Sequence, residues 1–163
     1  RYAGIYKEDP LFVTALIITE IIAMPFIVRF VAGRYHANLE REAGGTLIGS
    51  VLNAAAGISV FAVLWIVTLP LWLTGIGAVL APVLTSAYLN QRMFRYDALA
   101  EHASREEFAR ITRASRGDLF LLGIALSLLL YVPLVNLLVP VLSGLAFTHF
   151  CLGRLVRERG KII

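Results

Sequence analysis

Charge is what this sequence is short of. Asp, Glu, Lys and Arg together make up 16% of its 163 residues, where a soluble domain carries about 25%. Hydrophobic residues fill 58% of the chain, and mean hydropathy is +0.76. Soluble domains stay near about 45–50% apolar. This imbalance argues against a soluble enzyme, a disordered tail or a nucleic-acid reader, and leaves an integral membrane protein. Cysteine is scarcer still. Cys151 stands alone, so an internal disulfide and a Cys-rich metal site are both excluded. The opening RYAGIYKEDP has no signal-peptide pattern and starts on Arg1 rather than Met. We therefore expect a single membrane domain over residues 1–163, a fragment of a longer chain whose N-terminal helices lie upstream.

Catalytic sets are missing as well. Ser50, Ser59, Ser86, Ser127 and Ser143 lie in apolar text without a base at short spacing. The run Gly44-Gly45-Thr46-Leu47-Ile48-Gly49 lacks the lysine of a phosphate loop. His149 and Cys151 stand two residues apart, and such positions diverge on a helix. The expectation is a protein that is not an enzyme and uses no metal or cofactor. The pI near 9.6 reflects an excess of only four basic residues, which membrane topology explains without nucleic acid.

What charge there is falls in blocks. Residues 43–91 and 119–153 carry none. A bilayer core is about 30 Å thick and a helical span takes about 20 residues. The first charge-free run is long enough for two spans. It breaks at Pro70, giving arms over residues 46–69 and 72–91, with Gly75 and Gly77 adding turn character. The second breaks at Val132-Pro133. Its first arm, residues 119–131, covers only about 20 Å. That arm is expected to be re-entrant, which is tolerated where protein or water covers the backbone. Upstream, residues 10–28 are long enough to cross once, with Glu20 near the centre and Pro25 near the end.

The polar segments at 29–42, 92–118 and 154–161 hold three, six and four Lys or Arg, and the two hairpin tips hold none. The positive-inside rule places all three segments, with the C-terminus, on the cytoplasmic side, and the opening segment opposite. Residues 96–117 read as a surface helix. Ser104 and Glu107 have capping-box spacing, Glu106 and Arg110 are an i,i+4 pair, and Phe108, Ile111 and Ser115 share a face. Trp65, Trp72 and Tyr131 lie near the tips. The fold class is thus an all-α integral membrane protein: one transmembrane helix, two Pro-broken helical hairpins of which at least one is re-entrant, and a surface amphipathic helix.

Three groups of residues carry a family resemblance. Ala23, Pro25 and Phe26 form an Ala-x-Pro-Phe element closing a long helix. Pro70, Gly75, Ala81, Pro82, Tyr96 and Asp97 form a second succession. Gly123, Pro133, Asn136, Pro140, Gly144 and Ala146 form a Gly, Pro-x-x-Asn, Pro-x-x-x-Gly-x-Ala signature. In this the chain resembles the CysZ-type sulfate permeases of the etoposide-induced-protein domain family. The resemblance implies long transmembrane helices with two membrane-inserted hairpins, and passage of a small anion such as sulfate across a bacterial inner membrane. The family's anion-contacting Gly-Leu-x-Arg-Arg type segment is not found here, and no Arg-Arg pair occurs, so substrate specificity does not carry over residue by residue.

Several residues are candidates for an anion path. A helix starting at Leu134 would turn free N–H groups near Pro133 and Asn136 toward the membrane interior, as broken helices do in transporters. Alternatively, Asn136 caps the groups that Pro133 leaves open. Thr74 and Gly75 at the first tip have the same two readings. Glu20 is an intramembrane carboxyl, read as a proton or cation relay or as a protonated packing residue. His149 is a second candidate for coupling or for a buried polar role. Gly45 and Gly49 form a small-xxx-small pair that permits close helix contact. Arg92, Arg95, Arg105, Arg110, Arg113 and Arg116 could concentrate anions, although topology explains them equally. Expected partners are the lipid bilayer, a homo-oligomer or larger membrane complex, and a small anion, with no nucleic acid. The alternative to a permease is a non-transporting accessory or assembly subunit of a membrane complex.

Overall fold

A computed structural model of the protein describes the backbone of residues 10–42 and 44–160, and the side chains of residues 23–42, 44–46 and 48–160. Among the described residues the chain is all-helical. Six α-helices, α1 (Pro10–Tyr35), α2 (Leu47–Trp72), α3 (Ile76–Ala100), α4 (Arg105–Ala114), α5 (Arg116–Leu129) and α6 (Val139–Gly160), are joined by short turns, with one 3-10 turn at Val135–Leu137. The central element is α3. It packs against α2 on one side and against α5 and α6 on the other, while α1 joins mainly through α6.

Apolar continuity makes α2. The Thr46 hydroxyl caps it by accepting the Gly49 N–H at 3.0 Å, and no charge interrupts it for 26 residues, a reach of about 39 Å. Its side chains are largely uncovered: Val51, Leu52, Ile58, Val63, Ile66 and Val67 are all exposed. An apolar face of that extent needs a covering, and a bilayer supplies it. Among the described residues two helices, α2 over Ile48–Trp72 and α6 over Val139–Gly160, are long and apolar enough to cross a membrane.

The first hairpin does not break at Pro70. That proline lies inside α2, which runs on to Trp72. In the last turn a proline removes a single helix bond, and too little helix follows for a kink to matter. Reversal comes at Leu73, Thr74 and Gly75. The Thr74 hydroxyl donates to the Leu71 carbonyl at 2.6 Å and accepts the Gly77 N–H at 3.2 Å. The Ile76 N–H donates to the Thr74 carbonyl across Gly75 at φ +60°, a γ-turn that glycine alone adopts freely.

The second hairpin also differs in detail. Its rising arm α5 has 14 residues, about 21 Å, and the break does fall around Pro133. The returning helix, however, starts at Val139 rather than Leu134. Leu134 itself sits at φ +68°, a strained conformation for a branched side chain that stops helix from resuming there. The expected surface helix over residues 96–117 is likewise split. Its first residues belong to α3, and only α4 lies as a separate short helix. The Ser104–Glu107 capping box is formed. Arg110 pairs with Glu158 of α6 at 3.2 Å instead of Glu106, because α4 is laid against α6.

The core gathers Ile27, Val28 and Val31 of α1, Leu99 of α3, Ile111 of α4, Leu119 of α5, and Phe147, Cys151 and Leu155 of α6. Phe94 stacks on Phe147 with ring centroids 5.8 Å apart. Two glycines set the helix crossings. A Cβ on Gly123 would lie 2.7 Å from the Ala87 carbonyl oxygen, and one on Gly144 would meet Ile27 and Met24 at 3.0 and 3.1 Å. Gly45 and Gly49 serve contact within the chain, against Ala100 and Tyr96.

Gly123→Ala is expected to lower stability by about 1–3 kcal/mol, since the obstructing atom is backbone and cannot yield. Gly153→Ala, with open space around it, should be neutral or slightly stabilising. Thermal unfolding of the two variants in detergent micelles checks this, and equal midpoints would refute the close approach of α5 to α3.

Candidate functional site

An open cleft of about 1140 Å³ lies between α1, α3 and α6. Met24, Pro25 and Val28 of α1 form one wall, and Leu89, Asn90, Met93 and Phe94 of α3 another. Val139, Pro140 and Ser143, from the first turns of α6, line it as well, with Ser50 and Val51 of α2. Charge enters at the polar end, where Arg29, Arg41, Asp97 and Glu101 line the cleft and Arg29 approaches Glu101 at 3.9 Å. The cleft is therefore apolar along its length and mixed in charge at its polar end. Its uncharged polar groups are Asn90, Ser143, Ser50 and Thr46. The Ser143 hydroxyl is buried without a hydrogen-bond partner, and buried hydroxyls in native proteins normally have one. The first turn of α6 also lines the cleft, and that end of a helix carries partial positive charge, although Pro140 supplies no N–H there and the Leu142 N–H donates to the Leu138 carbonyl. Such an arrangement can hold a small polar or anionic solute. It has no nucleophile–base pair with which to transform one.

The residues singled out from sequence lie elsewhere. Asn136 sits in the 3-10 turn, exposed, with its backbone N–H donating to the Val132 carbonyl at 3.1 Å. It is not in the first turn of α6, and its side chain does not cap the turn. Pro133, Thr74 and Gly75 are also exposed, and none of the four lines the cleft. His149 is exposed rather than buried. Its ring meets Tyr35 edge-on at 5.3 Å and lies 5.7 Å from that of His36, a pairing of α6 with the end of α1 that sequence spacing does not reveal. The Glu20 side chain lies outside the described residues, as does the opening segment.

The sequence pattern of the family described as sulfate transporter CysZ/etoposide-induced protein 2.4 matches residues 10–140. The chain belongs to this family. Comparison with curated proteins and with solved structures finds no match. The matched span runs from α1 into the first turn of α6 and contains every residue named on the cleft wall except Ser143. With the two long apolar helices, membership makes this a membrane protein of a transporter-type family. The motif residues have physical roles. Gly144 of the last signature is the point at which α6 crosses α1 beside Pro25 and Phe26. Pro25 and Pro140 then face the same cleft. Gly123 is the crossing of α5 and α3.

The polar end is held by Arg159. Its Nε donates to Glu107 Oε1 at 2.8 Å and its Nη2 to Glu107 Oε2 at 3.0 Å, a two-pronged pair. The same guanidinium donates to the carbonyls of His102 at 2.8 Å and Glu40 at 3.1 Å, with Glu42 3.6 Å away. Glu107 also accepts the Ser104 N–H at 2.9 Å. The hydrogen bonds from Arg159, reinforced by Ser104, hold the Glu107 carboxyl below its ordinary value of 4.5 against the opposing effect of burial. Burial pushes the His102 imidazole down.

A depressed carboxylate pKa stabilises the fold above the unfolded value and loses that contribution as pH falls through the folded one. The unfolding midpoint of the protein in micelles should therefore drop on acidification below about pH 4.5. Glu107→Gln should start about 1–3 kcal/mol less stable at pH 7 and show a shallower decline. Parallel pH profiles for the two proteins would rule out the Glu107–Arg159 pair as the acid-sensitive contact.

Proposed function

We propose that the natural full-length protein passes a small oxyanion such as sulfate across a bacterial inner membrane, with the α1–α3–α6 cleft as part of the path and the polar end in the cytoplasm. The observation that carries this reading is the unpartnered Ser143 hydroxyl, buried on the wall of a cleft that the first turn of α6 also lines. Transporters use interrupted helices in this way, turning positive helix ends toward an anionic solute at membrane depth. Family membership supports the transport class. The gathering of basic segments at one end, through Arg159, Arg154 and Arg29, supports the orientation.

The same reading makes the second hairpin re-entrant. Counting back along both helices from the Phe94–Phe147 stack, α6 starts about 15 Å short of the start of α3. With α5 also short, the hairpin turns at membrane depth, where its exposed turn residues call for cover by water or a neighbouring chain.

Sulfate uptake into proteoliposomes tests the proposal. Uptake should be saturable, and Ser143→Val should cut its initial rate by about tenfold, the equivalent of one lost hydrogen bond of about 1.4 kcal/mol. Asn136→Ala should leave the rate within about twofold of wild type, as its side chain lies off the cleft. Dependence on Asn136 with indifference to Ser143 would move the path to the hairpin tip. No uptake above empty vesicles, from folded protein, would replace the permease with the accessory-subunit reading.

A further inference from the structure

The described carboxylates are distributed unevenly among the arginines. Arg29, Arg110 and Arg154 each pair with one, Glu101, Glu158 and Asp118, and Arg159 pairs with two, Glu107 and Glu42. Arg92 and Arg95, half-buried on α3 near its polar end, form no ion pair with any described carboxylate. Each is held instead by a neutral neighbour one helical turn back. Arg92 Nη1 donates to the Tyr88 hydroxyl at 3.2 Å, and Arg95 Nη1 to Gln91 Oε1 at 3.4 Å. The Nε of both is buried with no hydrogen-bond partner.

Among the described residues, no carboxylate lies within ion-pair distance of either guanidinium. The groups that act on Arg95 are the Cys151 thiol and Tyr88 hydroxyl, both weak acids, and the positive Arg92 and Arg116, with no described carboxylate among them. The Phe108 ring lies under the Arg95 guanidinium at 5.8 Å, and Gly57 of α2 leaves room beside the Arg92 stem, where a Cβ would stand 3.3 Å from Cδ. Two half-buried cations with a buried, unmet Nε each and no described counter-charge are costly to hold. A tetrahedral oxyanion is the chemistry that answers them, because guanidinium forks match its oxygens and spacing of i,i+3 brings two forks to one face.

We propose that Arg92 and Arg95 form an oxyanion-binding site on α3 for a sulfate or phosphate group, either free or carried as the phosphodiester of an anionic lipid headgroup. Neither residue lines the α1–α3–α6 cleft, so the site is distinct from the proposed path, and binding there is measurable without flux. The polar end of α3 is where a membrane protein meets headgroups as well as dissolved anions.

The test is nuclear magnetic resonance of protein labelled with nitrogen-15 at the arginine side chains, with Arg92→Gln and Arg95→Gln assigning the two Nε–H signals. In lipid-free neutral micelles, sodium sulfate or phosphate is titrated against sodium chloride at equal ionic strength. In a second arm, phosphatidylglycerol is titrated against phosphatidylcholine. Both signals should move saturably while that of Arg159 stays fixed. Movement with the inorganic anion identifies a free oxyanion, and movement only with phosphatidylglycerol identifies the lipid phosphodiester. The folded double variant Arg92→Gln/Arg95→Gln should bind the active ligand at least tenfold more weakly by calorimetry. Signals unmoved by either ligand, or undiminished affinity in the folded double variant, would overturn the site. If the double variant does not fold, the wild-type titration decides alone.

Discussion

Arg159 reaches from the last turn of α6 to Glu107 of α4, the His102 carbonyl in the turn after α3, and Glu40 and Glu42 between α1 and α2. Apolar helices in lipid gain little from meeting one another, since the lipid tails are as apolar as their side chains. Register must then come from close packing at small residues and from polar contacts. Gly123 and Gly144 supply the first, and the Arg159 cluster supplies the second at the end where the helices leave the apolar layer. The placement of Arg41 and Glu101 at the polar end of the cleft follows from it, because the segments carrying them adjoin those that Arg159 ties.

Two sides of α3 carry different groups. Asn90, Met93, Phe94 and Asp97 form a wall of the cleft, while Arg92 and Arg95 carry the unmet cationic donors. A single helix packed against α2, α5 and α6 thus gives the cleft and the cationic pair a common rigid support. A shift of α3 would move both together.

Much of this was legible before any coordinates. The charge-free runs marked both hairpins because burying charge in lipid is costly wherever it falls. The Ser104 capping box was readable because it is closed within four residues. Pro70 misled because a proline's effect depends on how much helix follows it. Leu134 gave no warning, since leucine has no local preference for a positive φ and only the surrounding hairpin imposes one. The Glu106–Arg110 spacing failed for the same reason: tertiary packing offered Arg110 a better partner in Glu158. The site was the least legible part. Asn90 and Ser143 look like ordinary residues in apolar text, and only the crossing of α1 and α6 at Gly144 brings them beside Pro25.

The long and nearly unburied α2 has a mechanical consequence. At about 39 Å it exceeds a hydrocarbon layer of about 30 Å, a mismatch that helices meet by tilting, kinking or thickening the layer around them. Its main contact is with α3, which means that any tilt it takes is handed to the helix that carries both the cleft wall and the arginine pair. A thinner or thicker layer that changed this tilt would lean the α2–α3 pair by a different amount and re-aim α3 against α1 and α6.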